Sequence, residues 1–542
     1  MKKNCIFLWL FVLALRLSAQ SFSSSNLPII IIDTHGGEII NEPKIEADMY
    51  IVDNGPGMRN SITDPPVFEG KIGIEIRGSS SQMFPKKQYG IETWDDQGEG
   101  IDVSLLGLPE EEDWVLFAPY NDKSLMRDAL AYKLGRDLGR YAPRTKYCEV
   151  VLNGAYNGVY VLIEKIKRDG NRVAINKLDP DELEGDDLTG GYIIKVDKTE
   201  GDSGPGWESV FPPPGRSGNQ TVTFQYEEPK HDEIVPEQKE YIRKFMNEFE
   251  HTLAGNQFRD PAFGYTKYID VNSFVDYFIM NELTKNVDAY RLSTFMYKQR
   301  DSDGGKLFMG PIWDYNLGFG NVDYCTSGNP EGFVIYFNSV CPDDFWLIPF
   351  WWTRLFDDEA FRDKVVDRWN SLRQGKFKTE AIHAYIDSVA DVLEEEAQQR
   401  NFEKWPVLNT YVWPNYFVGD SFESEVDWLK GWIADRMEWL DSNIPMLVTS
   451  NEQDLGRGGI SLSSFPNPFF EQVNFGYTLL RPATVDIELI DFNGRIVDRF
   501  RSQDKVSGSS HVSMGGALRS GLYLYRIALD GQVTITGKVF KR

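Results

Sequence analysis

Two aspartates flank a predicted β-hairpin. Asp288 precedes the apolar, aromatic-rich run STFMYKQ, and Asp314 follows a second such run, KLFMGPIW. The runs are joined by RDSDGG, whose Asp-Gly-Gly core is a strong hairpin-turn signal. Pairing of the strands would bring both carboxylates to one end of the hairpin. There they could share a cation, or divide proton acceptance from metal binding.

The residues after Asp314 add to this pattern. The chain continues as YNLGFGN, so Asn316 offers a second oxygen ligand while Gly318 and Gly320 permit a tight bend. Mg²⁺ prefers oxygen ligands and usually keeps phosphates and waters in its shell, which suits an Asp/Asn pair. The plainer interpretation is that Asp288 caps a turn and Asp314 ends a strand. Both interpretations remain open at this point.

A serine-rich loop provides a candidate phosphate contact. Between the predicted strands GKIGIEIRG and KKQYGIETWD, the small residues Ser79 and Ser80 would let backbone N–H groups approach a phosphate. Arg77, Lys86 and Lys87 flank them and supply positive charge. The loop matches neither GxGxxG nor the Walker A pattern. Paired lysines also commonly guard sheet edges, so the loop by itself is a weak signal.

Composition limits the classes of function. A chain of 542 residues is too long for one compact core, which predicts two or three domains. The net charge is −25, with 57 basic and 82 acidic residues, and this argues against nonspecific binding to nucleic acid or anionic lipid. A phosphate site must therefore supply its own cations or metal. The 5 histidines are scattered, which disfavours a zinc site or a histidine-based hydrolase.

The N-terminus predicts export. MKK, the apolar stretch CIFLWLFVLAL and LSAQ have the order of a secretory signal peptide over residues 1–20. No later segment is long and apolar enough to span a bilayer, so the mature chain is expected to lack a transmembrane segment. In an oxidising compartment Cys325 and Cys341 could form a disulfide, leaving Cys148 unpaired.

The elements around these residues follow a recognisable order. Residues 27–100 read as four or more strands, and DKSLMRDALAYKLGRDLG predicts a helix with Asp122 or Ser124 as N-cap and Gly139 at its end. TKYCEVVLNG and GVYVLIEKIKRD predict a second hairpin. The predicted order is a five-stranded sheet, a helix, a two-stranded extension and then a helical region, and this order resembles the N-lobe of a kinase. Residues 342–445 predict helices whose tryptophans pack in a core.

Several long motifs carry a family resemblance. RGSSSQMFPKKQYGIE, DWVLFAPYNDKSLMRDALAYKLGRDLG, VLNGAYNGVYVLIEKIKRD, GGYIIKVDK and the Asp288–Asp314 stretch together resemble the CotH family of secreted, atypical protein kinases, over residues 27–445. The resemblance implies an α+β, two-lobed kinase-like fold with a β-rich N-lobe and a mostly helical C-lobe. It also implies transfer of the γ-phosphoryl group of ATP, with Mg²⁺, to Ser or Thr of exported proteins.

The resemblance also implies roles for individual residues. Lys87, with Lys86 as the alternate, resembles the lysine that holds the nucleotide phosphates. Asp288 resembles the aspartate that orients the acceptor hydroxyl, and Asp314 the metal-binding aspartate. Such chemistry needs mainly positioning and charge neutralisation. The segment where a kinase hinge would meet adenine comprises Glu164, Lys165 and Ile166.

One position departs from the family pattern. Many members carry Asn five residues after the catalytic aspartate, and here that position is Ser293. Serine is a poorer metal ligand than asparagine. Either Asn316 supplies the missing oxygen beside Ser293, or the protein binds nucleotide without efficient transfer, as a pseudokinase.

The C-terminal segment predicts a separate module. After a polar linker over residues 446–460, residues 461–542 predict an all-β, Ig-like sandwich. FPNPF, the turn from Asp491 to Gly494, SGLYLYRI and the basic end GKVFKR resemble the sorting domain of the type IX secretion system. This resemblance implies handling by that machinery and a secreted or cell-surface location, reached through the periplasm and outer membrane. The alternative is an ordinary Ig-like binding module.

Functions of different classes therefore remain for residues 21–445. The first is a secreted Ser/Thr kinase, against which the scarcity of extracellular ATP weighs. The second is a non-catalytic adhesion or carbohydrate-binding protein that uses the same scaffold as an interaction surface. A glycoside hydrolase with paired carboxylates is a third, supported only by the tryptophan content.

Overall fold

The computed structural model describes residues 22–199, 204–445, 447, 460–465, 468–502 and 506–542. The chain divides into two compact units, Met1–Ile444 and Pro445–Arg542, and both helices and strands are abundant in the first. The predicted signal peptide lies outside the described residues, as does nearly all of the predicted linker.

The first unit begins with a closed β-barrel. Seven strands close it in the order β2-β3-β5-β6-β7-β9-β8, and β1 pairs with β4 beside it. The nine strands of this region are β1 Ser24–Ser25, β2 Ile29–Asp33, β3 Ile45–Val52, β4 Asn60–Ser61, β5 Phe68–Arg77, β6 Gln88–Trp94, β7 Asp113–Phe117, β8 Thr145–Leu152 and β9 Ala155–Glu164.

Closure of the barrel differs from the predicted sheet with a separate extension. The hairpin of β8 and β9 is confirmed, but β9 pairs with β7 and β8 pairs in parallel with β2, so the hairpin completes the barrel. Closure leaves no free edge among these strands, and every second side chain points inward. The interior is filled by apolar residues that include Ile32, Ile74, Ile91, Trp114 and Leu162.

Helix α1, Arg127–Asp137, lies between β7 and β8 in the sequence. It begins later than the sequence predicted, and neither Asp122 nor Ser124 is the N-cap residue. Asp122 still serves the helix start, since its Oδ2 accepts a hydrogen bond from the Arg127 N–H at 2.8 Å. Gly139 follows the helix with φ of 84°, a conformation that glycine adopts without strain, as predicted.

A five-stranded antiparallel sheet follows the barrel, in the order β11-β12-β10-β13-β14. Its strands are β10 Tyr192–Val196, β11 Trp207–Glu208, β12 Thr223–Glu228, β13 Thr294–Lys298 and β14 Leu307–Met309. The hairpin predicted between the two aspartates is confirmed, because β13 pairs with β14 with Met296 opposite Met309. Gly304 and Gly305 have positive φ in the turn, as the Asp-Gly-Gly signal requires.

Helices make up most of the remaining first unit. Trp351, Trp352, Trp369 and Trp432 are buried, which confirms that these tryptophans pack in a core. Among the described residues, no helix combines the length and apolar character needed to cross a membrane. The helices are α2 Pro236–Ala254, α3 Val271–Thr284, α4 Phe337–Val340, α5 Trp351–Leu355, α6 Glu359–Arg373, α7 Thr379–Glu394, α8 Ala397–Lys404 and α9 Phe422–Asn443.

The cysteines behave as predicted. Cys325 and Cys341 form a disulfide with their Cα atoms 5.8 Å apart, and Cys148 is a free, buried thiol. The disulfide closes a segment that begins shortly after Asp314 in the sequence.

The second unit consists of two antiparallel sheets, ordered β15-β16-β19 and β18-β17-β20-β21. Val485, Ile487 and Leu489 alternate inward as predicted, whereas Leu522 and Leu524 are exposed. A shared core of residues such as Phe475, Ile527 and Val539 makes the unit a sandwich. Its strands are β15 Ile460–Phe465, β16 Val473–Ala483, β17 Val485–Ile490, β18 Ile496–Arg501, β19 Val506–Met514, β20 Gly521–Leu529 and β21 Gln532–Lys541.

The ends of the second unit are tied together. The ammonium of Lys541 donates to the carbonyls of Glu471, at 2.9 Å, and Gly515, at 3.0 Å, and lies over the Phe469 ring. At the predicted turn, Asp491 Oδ1 accepts from the Asn493 N–H at 2.9 Å. Lys541 near the C-terminus therefore packs against Phe469, the last residue of FPNPF.

Candidate active site

Asp288 lies on a tight turn between α3 and β13. Lys285, Tyr290 and Ser293 on this turn have φ of 45°, 69° and 45°. Such left-handed conformations are uncommon for residues other than glycine and cluster at functional sites. The side chain of Asp288 is about one-fifth exposed, at 20%, so its carboxylate can meet a ligand.

Asn286 brings the two aspartates together. Its side-chain oxygen accepts the Asp288 N–H at 3.2 Å, and its Nδ2 donates to the Asp314 carbonyl at 3.1 Å. Asp314 itself has φ of 63° and follows β14 directly after Ile312 and Trp313. The structure therefore joins the backbones of both aspartate-bearing segments through one amide side chain, at the end of the hairpin where the sequence placed them.

The surroundings of Asp314 raise the pKa of its carboxyl group. Asp314 as a residue is accessible to solvent, but protein atoms surround the carboxyl group and reduce its hydration. This loss of hydration, together with the charges of Asp288 and Asp197, raises the pKa to about 6. Arg77 and Lys198 act in the opposite direction. Even with these cations, the Asp314 pKa stays raised, and a group of three carboxylates of this kind can attract a divalent cation.

Asp197, which follows β10, is the third of these carboxylates. Burial raises its pKa, Lys195 lowers it, and the Asp288 charge raises it further. The backbone N–H groups of Lys198 and Ser293 both donate to its side chain. Ser293 therefore contributes a backbone donor at the position where the family resemblance predicted a metal ligand.

Helix α1 supports the turn that carries Asp314. Asp128 Oδ1 accepts the Tyr315 N–H at 2.6 Å, and the Tyr132 hydroxyl accepts the Asp314 N–H at 3.2 Å. Asn316 donates to Asn121 Oδ1 at 3.3 Å. The pKa of Asp128 is raised by burial and by the Asp314 charge. The orientation of Asp314 thus depends on a helix that is distant in the sequence.

Of the predicted cations, Arg77 lies at the carboxylates. Its guanidinium sits over the Trp313 ring, 5.4 Å from the centroid, and burial lowers its pKa while Asp314 raises it. A second cation, Lys198, was not predicted, and its ammonium lies 5.2 Å from the Trp346 ring centroid. Both arise from strand ends, β5 and β10, that the fold brings to the same place.

The two adjacent lysines occupy different surroundings. Lys86 is buried; its ammonium donates to the Val159 carbonyl at 2.5 Å and to Asn401 Oδ1 at 2.9 Å, and burial lowers its pKa to about 7. It is therefore held inside the fold, away from the carboxylates. Lys87 donates to the Gln82 carbonyl of its own loop. Ser79 and Ser80 are exposed at the start of that loop.

The predicted hinge segment is divided between two environments. Glu164 is fully buried and accepts hydrogen bonds from Arg144, one from Nη1 at 2.6 Å and one from the backbone N–H at 2.8 Å. Ile166 packs in an apolar cluster that Trp313 also contacts. Ile166 therefore lies close to the turn of Asp314, while the carboxylate of Glu164 is already engaged.

Sequence reasoning missed several of these residues. Asp197 and Lys198 stand in GGYIIKVDK, a motif that carried the family resemblance but suggested no role. Asp128 and Asn286 gave no signal, because their importance depends on contacts with segments far along the chain.

Comparisons with known proteins place two families on the chain. The family described as CotH kinase protein matches residues 74–440, and the family described as Secretion system C-terminal sorting domain matches residues 463–542. Inner spore coat protein H of Bacillus subtilis (strain 168) is 24% identical over 300 residues, covering 55% of this chain and 70% of that protein.

A solved structure shows a partial likeness. It is the alkylpurine DNA glycosylase AlkC of Pseudomonas fluorescens, bound to DNA containing an abasic site analog, at 13% identity and a TM-score of 0.12. The match covers 40% of this chain and 58% of that one.

Proposed function

The chain belongs to the CotH kinase protein family, and we propose that it is an exported kinase that phosphorylates Ser or Thr residues of other exported proteins. The observation that carries the proposal is the convergence of Asp197, Asp288 and Asp314, with Arg77 and Lys198 beside them. Three carboxylates beside two cations suit a nucleotide with a divalent metal, since the carboxylates can hold the metal and the cations can face the phosphates.

The reaction assigns different tasks to Asp288 and Asp314. The oxygen of the acceptor hydroxyl forms a bond to the γ-phosphorus, and the bond from that phosphorus to the bridging oxygen breaks, so that ADP leaves. Asp288 orients the hydroxyl and accepts its proton. Arg77 and Lys198 balance the charge on the phosphates.

Asp314 and Asn316 would hold Mg²⁺, which supplies neutralisation of the nucleotide phosphates when bound. The raised pKa of Asp314 supports this role, because a carboxylate repelled by Asp288 and Asp197 gains most from a nearby cation. Ser293 offers a hydroxyl at the position of the family asparagine. Carboxylate and amide oxygens are ligands that this hard cation accepts.

The fold supports a two-lobed arrangement in this proposal. The closed barrel, with Arg77 at the end of β5, takes the place of the nucleotide-binding lobe. The helical region supplies the acceptor side, since Asp288 follows α3. Ile166 and Trp313, which share an apolar cluster, provide an apolar surface for adenine.

The location of the protein follows from its second unit. The C-terminal sorting domain indicates export to the cell surface or beyond, with handling by the type IX secretion machinery. Its acceptors would then be proteins that leave the cell by the same or a parallel route.

A second candidate function rests on Ser293. Serine stands here in place of the family asparagine. The Ser293 N–H donates a hydrogen bond to the Asp197 carboxylate. The alternative is therefore a pseudokinase that binds nucleotide, or a cell-surface adhesion or carbohydrate-binding protein, without phosphoryl transfer.

Transfer of labelled phosphate from ATP tests the proposal. Residues 21–542 are incubated with γ-labelled ATP and Mg²⁺, and incorporation is measured into the chain itself and into dephosphorylated casein. We expect Asp288→Ala and Asp314→Ala each to lose at least about 100-fold in rate, as for loss of an acid–base or charge-stabilising group. Asp303→Ala, in the exposed turn at the far end of the same hairpin, should retain wild-type transfer.

The outcomes separate the candidates. Equal incorporation by the wild type, Asp288→Ala and Asp314→Ala contradicts the kinase assignment. Thermal stabilisation of the wild type by ATP and Mg²⁺ without transfer supports a pseudokinase. If ATP and Mg²⁺ neither stabilise the wild type nor give phosphate transfer, the result supports the adhesion or carbohydrate-binding alternative.

A further inference from the structure

Arg291 contacts the candidate catalytic aspartate directly. It lies three residues after Asp288 on the same turn, and its side chain is only 2% exposed. Its Nη2 donates to Asp288 Oδ1 at 2.8 Å. No described residue donates a side-chain hydrogen bond to Asp288 Oδ2, which leaves this oxygen for a ligand.

The guanidinium of Arg291 is fixed on every side. Its Nε donates to the Val287 carbonyl at 2.9 Å, and its Nη1 donates to Asp344 Oδ1 at 3.0 Å and to the Trp346 carbonyl at 3.1 Å. The Phe337 ring centroid lies 4.1 Å from the guanidinium carbon. A planar group with five donors held in this way has one orientation, so Asp288 Oδ1 is held in one place as well.

Asp344 belongs to the segment that follows the disulfide. Its Oδ1 also accepts the Trp346 N–H at 2.9 Å, which shapes the chain just after Cys341. At the other end of the disulfide, the ring of Tyr324 lies parallel to Trp413, with centroids 6.3 Å apart. The charges of Asp288, Arg291 and Asp344 all act on the Tyr324 hydroxyl. The disulfide-closed segment and the residues after it therefore contact Arg291 through Phe337 and Asp344.

Stability alone does not account for this arrangement. A buried arginine loses its hydration, and the ion pairs it forms in return roughly offset that loss. Asp288 and Asp344 are 20% and 22% exposed, so the buried cation pairs with two partly exposed carboxylates. Arg291 itself lines a small cleft together with Asp197, Trp346 and Leu347.

We propose that Arg291 is a positioning residue for phosphoryl transfer, and that Asp344 anchors it. Arg291 occupies Oδ1 of Asp288, so that Oδ2 faces the acceptor hydroxyl and receives its proton as the new oxygen–phosphorus bond forms and ADP leaves. The inference rests on the proposed kinase function and deepens it. It assigns the disulfide-closed segment to the acceptor side of the site.

The expected signature is a change in kcat with little change in the KM for ATP. Among the described contacts, Arg291 touches neither Asp314 nor Arg77, so nucleotide affinity should persist. Misplacement of a reacting group by about 1 Å costs on the order of 100-fold in rate. We expect Arg291→Met to lose about that much, Arg291→Lys to recover part of it because the charge remains, and Asp344→Asn to lose several-fold.

A matched control exists in the barrel. Arg172 is equally buried, lies over the Trp114 ring, pairs with Glu111 and donates to the carbonyls of Asp113 and Lys165. Arg172→Lys therefore removes a buried guanidinium, as Arg291→Lys does, but it leaves the contacts of Asp288 unchanged. Its kcat for casein phosphorylation should remain at the wild-type value, and circular dichroism and thermal unfolding would confirm that each variant is folded.

The results distinguish the inference from the proposed function. If the wild type transfers phosphate and Asp314→Ala does not, while folded Arg291→Met and Asp344→Asn keep the wild-type kcat, the role of Arg291 is overturned and the kinase assignment stands. Should Arg291→Met fail to fold, Arg291→Lys and Asp344→Asn decide by the same criterion. Absence of transfer by the wild type overturns both. An equal kcat loss in Arg172→Lys also overturns the specific role.

Discussion

Two acidic clusters of the first unit contrast in their balance of charge. In the barrel, the carboxyl oxygens of Glu111, Glu112 and Asp113 lie within 4.8 Å of one another. Lys167 pairs with all three, and Lys165, Lys44 and Arg172 add further ion pairs. In the second cluster, Asp288 forms an ion pair with Arg291, whereas Asp197 and Asp314 form no ion pair with any described residue.

The pKa values record this difference. Burial by itself would raise the pKa of Asp113, but the charges of Lys165, Lys167 and Lys44 outweigh it and lower the pKa well below its usual range. At Asp314, burial and the Asp288 and Asp197 charges raise the pKa. Burial thus acts in the same direction at both sites, and the neighbouring charges decide the outcome.

Closeness of carboxylates is therefore a poor guide to a metal site. The barrel cluster is the tighter of the two, yet its lysines and arginine already supply the positive charge that a metal would bring. At Asp314, by contrast, the net effect of the surroundings disfavours the ionised carboxylate, so a bound cation would stabilise it. Four experiments would test this contrast.

The largest expected effect is on stability in the barrel cluster. Asp113→Asn removes a carboxylate that forms ion pairs with Lys165, Lys167 and Lys44, and it should lower the free energy of unfolding by about 3 kcal/mol. Asp314→Asn removes a repelled charge and keeps a residue type that tolerates positive φ, so its stability at pH 8 should not fall. Urea unfolding measures both, and equal destabilisation would contradict the contrast.

The second effect is on binding of Mg²⁺. At 100 times its dissociation constant, a ligand stabilises the native state by about 2.7 kcal/mol. Mg²⁺ with ATP should stabilise the wild type and Glu112→Gln by this amount, and Asp314→Asn by much less. Thermal unfolding across a Mg²⁺ titration provides the measurement. Loss of the response in Glu112→Gln would instead place the metal in the barrel cluster.

The third effect is on pH dependence. A metal binds the ionised carboxylate, and the pKa of Asp314 is about 6 in the folded protein. Because the raised pKa favours the protonated form, Mg²⁺ affinity should be complete above about pH 7 and fall up to tenfold for each pH unit below 6. Isothermal titration calorimetry from pH 5 to 8 checks this. A flat profile in that window would contradict the assignment of Asp314.

The smallest effect concerns Ser293. Ser293→Asn restores an amide oxygen at a position with φ of 45°, a conformation that asparagine tolerates well. We expect Mg²⁺ affinity and phosphate transfer to rise a few-fold. A decrease in both would show that Ser293 is adapted to this site, and Ser302→Asn in the exposed hairpin turn is the control.

Much of the local structure was predictable from the sequence. The hairpin between Asp288 and Asp314, the second hairpin, the disulfide and the helical region follow from turn residues, periodicity and cysteine spacing. The separation of the seven barrel strands into a sheet and an extension was wrong. Closure depends on pairing β2 with β8, whose residues are more than 100 positions apart.

The candidate site was predictable only in part. Asp288 and Asp314 lie together because a short hairpin joins them, and Arg77 reaches them from β5. Lys86 was a candidate phosphate-binding lysine like Lys87, yet its side chain is buried and bonded to Val159 and Asn401. Neighbouring residues on a chain can face opposite environments, and the sequence pattern around Lys86 and Lys87 could not distinguish them.

The sequence by itself determined the family, the two units with many of their elements, and the pair of aspartates at the hairpin, because each depends on local pattern or on short-range pairing. Only the tertiary structure decided which charges meet. Folding brings residues from distant parts of the chain to the two aspartate-bearing turns: Asp197 and Lys198 after β10, Asp128 from α1 and Asp344 after the disulfide. Electrostatic interactions depend on distance in space, and it is folding that sets this distance.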